Sequence, residues 1–128
     1  MSRTPKTVQT PKAPAAIGPY SQAVTCGGMV YTSGQLGIAP DGIIPEDFAV
    51  QAKLALTNLQ AIVEAAGSNL GLAVTVDVYL IDMGRFAQFN EIYATFFKEN
   101  FPARAAIAVR ALPREAQVEV RCIAALPE

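Results

Sequence analysis

The sequence contains no histidine. This absence excludes Ser-His-Asp and Cys-His catalysis, histidine general bases and histidine-ligated zinc sites. Any chemistry in this chain must therefore come from carboxylates, arginine, lysine, tyrosine, serine, cysteine, backbone groups or water.

Charged residues are also scarce, at 16% of the 128 residues, whereas a soluble domain ordinarily has about a quarter. This scarcity favours a chain that buries apolar surface between subunits, although a large core under an ordinary surface would have the same composition. The net charge of −1 gives no indication of a nucleic-acid or membrane partner.

Targeting signals are weak. No apolar run approaches the ~18 residues of a membrane span. The first 40 residues carry three basic and no acidic residues, but Pro5, Pro11 and Pro14 prevent the amphipathic helix of a transit peptide. We therefore predict a cytoplasmic protein. Cys26 and Cys122 have no metal-binding spacing, and we expect both to be buried free thiols.

The pattern of apolar residues predicts one domain over residues 1–128, with residues 1–12 extended or flexible. The dipeptide Gly27-Gly28 stands between two β-prone runs, Tyr20–Cys26 and Met29–Gly34, which is typical of a tight hairpin. The sequence Pro40-Asp41-Gly42 indicates a turn. The other predicted elements are a strand at Lys6–Gln9, helices at 46–66 and 85–98, and strands at 74–81, 103–109 and 117–126.

Two amphipathic helices and five or six strands predict a two-layer α/β sandwich, with both helices on one face of a mixed sheet. The apolar stripe of the second helix is interpreted as core rather than as an aromatic ligand site. Apolar residues in the last two strands, including Ile123, Ala106 and Ala108, are expected on the other sheet face and suggest that another subunit covers it.

Two charged residues lie inside these apolar strands, Arg104 and Glu119. Such charges are seldom buried without a partner. Each also has a purely structural interpretation, as a strand-end arginine that reaches solvent or a solvent-facing glutamate. If the last two strands formed a simple hairpin, the two residues would share a face about 13 Å apart. A small ligand would then meet both only if a neighbouring subunit supplied one of them.

The planar guanidinium of Arg104 is suited to a substrate carboxylate, because it can donate two parallel hydrogen bonds. Glu119 can orient a water molecule and exchange protons with it. Further candidates are two hydroxyls, one backbone N–H group and one amide, on Tyr20, Ser33, Gly34 and Asn90 respectively.

Several segments resemble the RidA (YjgF) family, also called the L-PSP endoribonuclease family. The likeness extends from Ala13 to Leu126, and its joint order and spacing are specific. Its segments are 13–20, Thr32-Ser33-Gly34-Gln35, 61–67, Phe101-Pro102-Ala103-Arg104, Leu112-Pro113 and Val118-Glu119-Val120.

The resemblance implies a chorismate-mutase-like fold and a homotrimer with clefts between its subunits. It also implies cofactor-independent hydrolysis of 2-aminoacrylate and 2-iminobutyrate to 2-oxo acids and ammonia, which removes reactive intermediates. By the same resemblance, Arg104 matches the carboxylate-binding arginine and Glu119 the water-positioning glutamate. Tyr20, Ser33 and Asn90 match site side chains, and Gly34 a residue whose backbone lines the site.

The chain departs from the family pattern at two positions. The family often has cysteine where this chain has Ala106, so a mechanism that needs a thiol there is excluded, whereas a backbone contact at 106 is not. It often has an acidic residue where this chain has Arg121. Two other functions remain open: a non-catalytic trimer that binds a small acid or acts as a chaperone, and a ribonuclease. The missing histidines and the slightly acidic pI count against the ribonuclease.

Overall fold

A computed structural model describes residues 2–128 of the chain. Within this range, seven strands form one sheet and two helices pack on one of its faces. The strands are β1 Lys6–Val8, β2 Ala23–Cys26, β3 Met29–Thr32, β4 Gln35–Leu36, β5 Ala73–Leu80, β6 Ala103–Ala108 and β7 Val118–Ala125. The helices are α1 Phe48–Ala65 and α2 Phe86–Tyr93. The predicted sandwich is confirmed, with one or two more strands than expected.

The N-terminal half follows its local signals closely. Gly27 and Gly28 have φ angles of 59° and 83°, as the tight turn between β2 and β3 requires. The strand predicted at Lys6–Gln9 is present as β1, residues 6–8, which pairs with β2. Met1 belongs to the predicted extended or flexible segment 1–12 and lies outside the described residues.

Helix α1 begins where a cap is available. The carboxylate of Asp47 accepts a hydrogen bond from the N–H of Val50 at 3.0 Å, which satisfies one of the free donors of the first turn. After the helix, Gly67 has a φ of 93°, as expected for the residue that ends it. The buried side of α1 lies on the sheet and contributes Leu56, Leu59, Ile62 and Val63 to the core.

Helix α2 is shorter than predicted and ends at Tyr93 instead of Lys98. Beyond Tyr93 the backbone tightens, since the N–H of Thr95 donates to Ile92 O, three residues back, at 3.0 Å. The Thr95 hydroxyl donates to the same carbonyl at 2.6 Å and competes with continued helix. The aromatic stripe still packs into the core, with Phe89, Tyr93 and Phe97 buried.

The strand order is β1-β2-β3-β7-β5-β6, and β4 pairs with β7. The hairpin assumed for the last two strands does not form, because β5 lies between β6 and β7. Strand β5 lies between these two strands and pairs with β6 on one edge and with β7 on the other. Strand β6 runs parallel to β5 and, within residues 2–128, has no partner on its outer edge.

The two faces of the sheet differ in what covers them. Along β5 and β7, buried residues such as Val78 and Val120 face the helices, and the alternate residues form what we call the open face. Ile123 lies on the open face as predicted. Ala106 and Ala108 do not, because they pair in register with the helix-facing Val78 and Leu80.

One apolar residue of β5 leaves the alternation. Val74 opens the strand predicted at 74–81 two residues before the buried Val76, yet it is 48% exposed. The register against β7 shifts between Ala73 and Thr75, so a bulge turns Val74 away from the core.

No helix in the described residues is long and apolar enough to cross a membrane.

Candidate functional site

The predicted site residues fall into two groups, which we call the edge half-site (Asn90, Arg104 and Ala106) and the cavity half-site (Tyr20, Gly34 and Glu119). The first lies where α2 meets the outer edge of β6. The second lies where the chain before β4 crosses β7. Arg104 pairs in register with Val76, and Val76 with Cys122, three residues beyond Glu119. Arg104 and Glu119 are thus separated by two inter-strand distances across the sheet and by three residues along the strand direction. These two components place them about 14 Å apart.

The two charged residues also lie on opposite faces of the sheet, contrary to the shared face that the sequence suggested. Arg104 is in register with the helix-facing Val76, whereas Glu119 is in register with Tyr79 on the open face. The expectation of a shared face depended on a hairpin that does not form. Within one chain, a small ligand cannot contact both residues.

At the edge half-site, Arg104 is held without a counter-ion. Its Nη1 donates to Asn90 Oδ1 at 2.8 Å, and its guanidinium carbon lies 4.7 Å from the Tyr93 ring centroid and 5.4 Å from that of Phe86. Among residues 2–128, the only ion pair joins Arg121 to Asp77. Arg104 is exposed, so its remaining donors are available to an incoming carboxylate.

Tyr93 forms the floor under this arginine. Its ring stacks on Phe97 at a centroid distance of 4.4 Å, which fixes the plane on which the guanidinium lies. Burial raises the pKa of the Tyr93 phenol to about 12, against the opposing effect of the Arg104 charge. The phenol therefore remains protonated and neutral across the physiological pH range.

Ala106 contributes backbone groups rather than a side chain. The N–H of Val109 donates to Leu80 O at 2.8 Å, toward β5. Alternate residues of a strand direct their backbone groups to the same side, so the N–H of Ala106 points the other way, out of the edge of the sheet. A ligand bound by Arg104 would meet this free donor on the same strand.

The cavity half-site has a volume of about 320 Å³. Its walls include Ile17, Tyr20, Gly34, Ile38, Arg114 and Glu119. Glu119 and Gly34 are in close contact, because a Cβ atom added to Gly34 would lie 2.7 Å from the Glu119 carboxyl carbon. Only a glycine permits this approach, and it leaves the backbone at residue 34 exposed to whatever the carboxylate holds.

The Glu119 carboxyl is half-buried in this cavity. Burial raises the pKa of Glu119 above its ordinary value, and the positive charge of Arg121 opposes the rise. A carboxylate in this state is a better proton acceptor than an exposed one.

The remaining predicted hydroxyl, on Ser33, lies beside the cavity rather than in its wall. Its Oγ donates to Ser21 O at 2.5 Å and so ties the end of β3 to the loop that carries Tyr20. In the free chain Ser33 therefore positions Tyr20 and Gly34.

Sequence reasoning missed three contributors to the site. The rings of Phe86 and Tyr93 lie under the Arg104 guanidinium, but their spacing along the helix predicts only that they belong to the hydrophobic core. Arg114 reaches the cavity from a turn in which its φ is 58°, and its Nη2 donates to Gly42 O at 2.9 Å. The neighbouring Leu112-Pro113 was the nearest available signal.

The cysteines belong to neither half-site. Cys122 is buried in the core, and burial raises the pKa of its thiol to about 12, so it is an inert thiol as predicted. Cys26 is also free but only partly buried, with its Sγ 3.1 Å from Arg3 O. The described residues contain no cluster of His, Cys, Asp and Glu side chains that could hold a metal ion.

Comparison with known proteins gives one consistent result. The family model for Endoribonuclease L-PSP matches residues 10–126. A mouse protein named 2-iminobutanoate/2-iminopropanoate deaminase is 48% identical over 93% of this chain and 90% of its own length. A protein of the same name from Escherichia coli K12 is 46% identical over 93% and 96%.

Solved structures agree in fold. The crystal structure of E. coli TdcF with bound serine superposes with a TM-score of 0.91 at 42% identity, covering 95% of this chain and 99% of that one. Yeast Mmf1 superposes with a TM-score of 0.93 at 35% identity, covering 97% and 100%.

Proposed function

Because the chain belongs to the endoribonuclease L-PSP family, we propose that it is an imine deaminase, which hydrolyses 2-aminoacrylate and 2-iminobutyrate to 2-oxo acids and ammonia. The names of the mouse and E. coli relatives support this substrate class. The observation that carries the proposal is the state of Arg104. It is an arginine fixed by an amide and two aromatic rings, without a carboxylate partner among the described residues.

Imine hydrolysis does not require the protein to generate a strong nucleophile. After an enamine tautomerises to the imine, its carbon is already electrophilic, so the enzyme has to position a water and move protons. Arg104 anchors the substrate carboxylate, and the outward N–H of Ala106 fixes its orientation. Glu119 holds the water beside the Gly34 backbone and takes up its proton as the water attacks the carbon of the protonated imine, whose C=N electron pair moves to nitrogen. Glu119 then passes that proton to the amino nitrogen of the carbinolamine. Ammonia leaves as the C–N bond breaks, and the hydroxyl loses its proton to form the carbonyl of the 2-oxo acid. Positioning of this kind can contribute several kcal/mol to the rate. No metal or cofactor takes part.

The half-sites are about 14 Å apart on opposite faces, so the proposal includes a second copy of the chain. In a homotrimer, the edge half-site of one subunit would meet the cavity half-site of the next. The open face supports such an assembly, because it exposes 45% of Tyr31 and 49% of Ile107, and a monomer would leave these apolar surfaces in water. Tyr20, at 53% exposed, is then available to close the shared site.

A competition assay would test the deaminase activity directly. Threonine dehydratase generates 2-iminobutyrate, and semicarbazide traps the imine as a semicarbazone that absorbs in the ultraviolet. We expect this protein to lower the rate of semicarbazone formation in proportion to its concentration, because hydrolysis removes the imine first. If it binds 2-oxobutyrate in a calorimeter yet leaves semicarbazone formation unchanged, the chain is a non-catalytic binder and the enzyme proposal is wrong.

The close contact between Gly34 and Glu119 can be tested by substituting Gly34. Gly34→Ala places a methyl group 2.7 Å from the Glu119 carboxyl carbon and must displace the carboxylate. Since misplacement by about 1 Å can cost about a hundredfold in rate, we expect kcat/KM in the coupled assay to fall by about that factor.

The matched control is Gly71→Ala, whose Cβ would lie 2.9 Å from Asn69 Oδ1, an equally tight contact away from both half-sites. It should leave kcat/KM within about twofold, a change of less than half a kcal/mol in the barrier. Equal losses in the two variants would mean that crowding, rather than the position of Glu119, limits activity.

A further inference from the structure

Beside Glu119, the open face carries a small polar network in an otherwise apolar surface. Glu119 and Arg121 are two residues apart on β7 and point to the same face, and β5 places Tyr79 and Asp77 opposite them in register. Arg121 Nε donates to Asp77 Oδ2 at 3.0 Å. The guanidinium is thus held by a carboxylate of the neighbouring strand, next to the carboxylate of the cavity half-site.

We propose that Arg121 is a positioning residue for Glu119, which keeps its side chain in the carboxylate form and extends the activity of this chain to lower pH. The proposal rests on the deaminase function argued above. A neighbouring acid would oppose ionisation of Glu119, whereas Arg121 favours it.

The charges around Glu119 support this direction. Burial raises the pKa of Glu119, and Arg121 is the charge that lowers it again. From β5, Tyr79 and Asp77 lie opposite Glu119 and Arg121, and the Asp77 carboxylate is paired with Arg121. On the cavity side, Gly34 has no side chain, and Arg114 donates to Gly42 O. Within one chain, Arg121 is therefore the charged residue that shares the strand face of Glu119 and opposes the effect of burial, and in the proposed trimer Arg104 of the next subunit would act in the same direction.

The sign of the effect on activity follows directly. The carboxylate form of Glu119 is active and the protonated form is not, so the rate falls as the pH drops through its pKa. Removing Arg121 raises that pKa and moves the acid limb of the pH–rate profile to higher pH. Two unit charges about 7 Å apart interact strongly enough, between the dielectric of water and that of a protein surface, to move the limb by about half a pH unit or more.

The experiment compares pH profiles of kcat/KM for the wild type, Arg121→Gln, Arg121→Glu and Arg121→Lys. We expect the acid limb to move up by about half a unit or more in Arg121→Gln and further in Arg121→Glu, while Arg121→Lys stays near the wild type. The plateau rate should change less than about threefold, since no group that touches the substrate is altered. Lys53→Gln, on the exposed side of α1, removes the same charge elsewhere and should move nothing.

A second readout does not require turnover. In protein labelled with ¹³C at glutamate carboxyls, the Glu119 resonance is the one missing from Glu119→Gln, and its titration gives the pKa directly. A higher midpoint in Arg121→Gln supports the proposal even if the wild type proves inactive on imines, which would overturn only the deaminase function. An unchanged midpoint, or an equal shift in Lys53→Gln, would overturn the role of Arg121.

Discussion

Arg104→Ala is expected to lower kcat/KM for 2-iminobutyrate by about thirtyfold to a few thousandfold, because truncating one partner of a hydrogen-bonded charge pair typically costs about 2–5 kcal/mol. Arg104 lies about 5 Å above two rings and donates to Asn90, so the guanidinium is already in place when the substrate arrives. The substrate would lose both its anchor and its orientation toward the water at Glu119.

The fold should survive this change. Arg104 is exposed and makes no ion pair, so we expect the melting temperature to fall by no more than about 5 °C.

Arg104→Lys keeps the charge but loses the planar fork, and its kcat/KM should lie between those of the wild type and the alanine variant. Arg85→Ala is the matched control, because Arg85 lies 5.5 Å over the Phe48 ring in a similar way but outside both half-sites. Near-normal turnover by Arg104→Ala would remove the arginine from the mechanism.

Mixing two inactive variants is expected to restore activity. Arg104→Ala damages only the edge half-site and Glu119→Gln only the cavity half-site, and these are about 14 Å apart on opposite sheet faces within one chain. If each site joins the edge of one subunit to the cavity of the next, a trimer that contains both variants has one site with neither change. After random reassembly of equal amounts, about a quarter of all sites are intact.

The test is to unfold the two variants together, refold them and measure kcat/KM per subunit. Each variant refolded alone provides the background, and wild type refolded with the double variant Arg104→Ala/Glu119→Gln provides the control for recovery. A mixture no more active than its components would show that both residues act from one chain, or that they do not act on one substrate.

Local structure was predictable from the sequence because its causes are local. The pattern of apolar residues predicted α1, and Gly27-Gly28 predicted the hairpin between β2 and β3. The strands of Arg104 and Glu119 were also predicted, and so was their status as unusual charges in apolar surroundings. The overestimate of α2 has a local cause as well, since the apolar stripe continues through Phe97 although the regular helix ends at Tyr93 and hydrogen bonds three residues back begin there.

The site itself was predictable only as a set of residues. A period of two shows which residues of a strand share a face, but not which face of the sheet that is, nor which strand lies alongside. Placing β5 between β6 and β7 put Arg104 on the helix side and Glu119 on the open face. The aromatic platform of Phe86 and Tyr93 likewise depends on how α2 packs over β6.

By itself, the sequence determined the elements, the residue types available for chemistry and the absence of histidine catalysis, since each depends on neighbours in the chain or on composition alone. Only the tertiary structure decided the strand order, the separation of the two half-sites and the approach of Gly34 to Glu119. These depend on pairings between residues far apart in the chain, where burial of the whole core selects one arrangement among several that the local pattern allows.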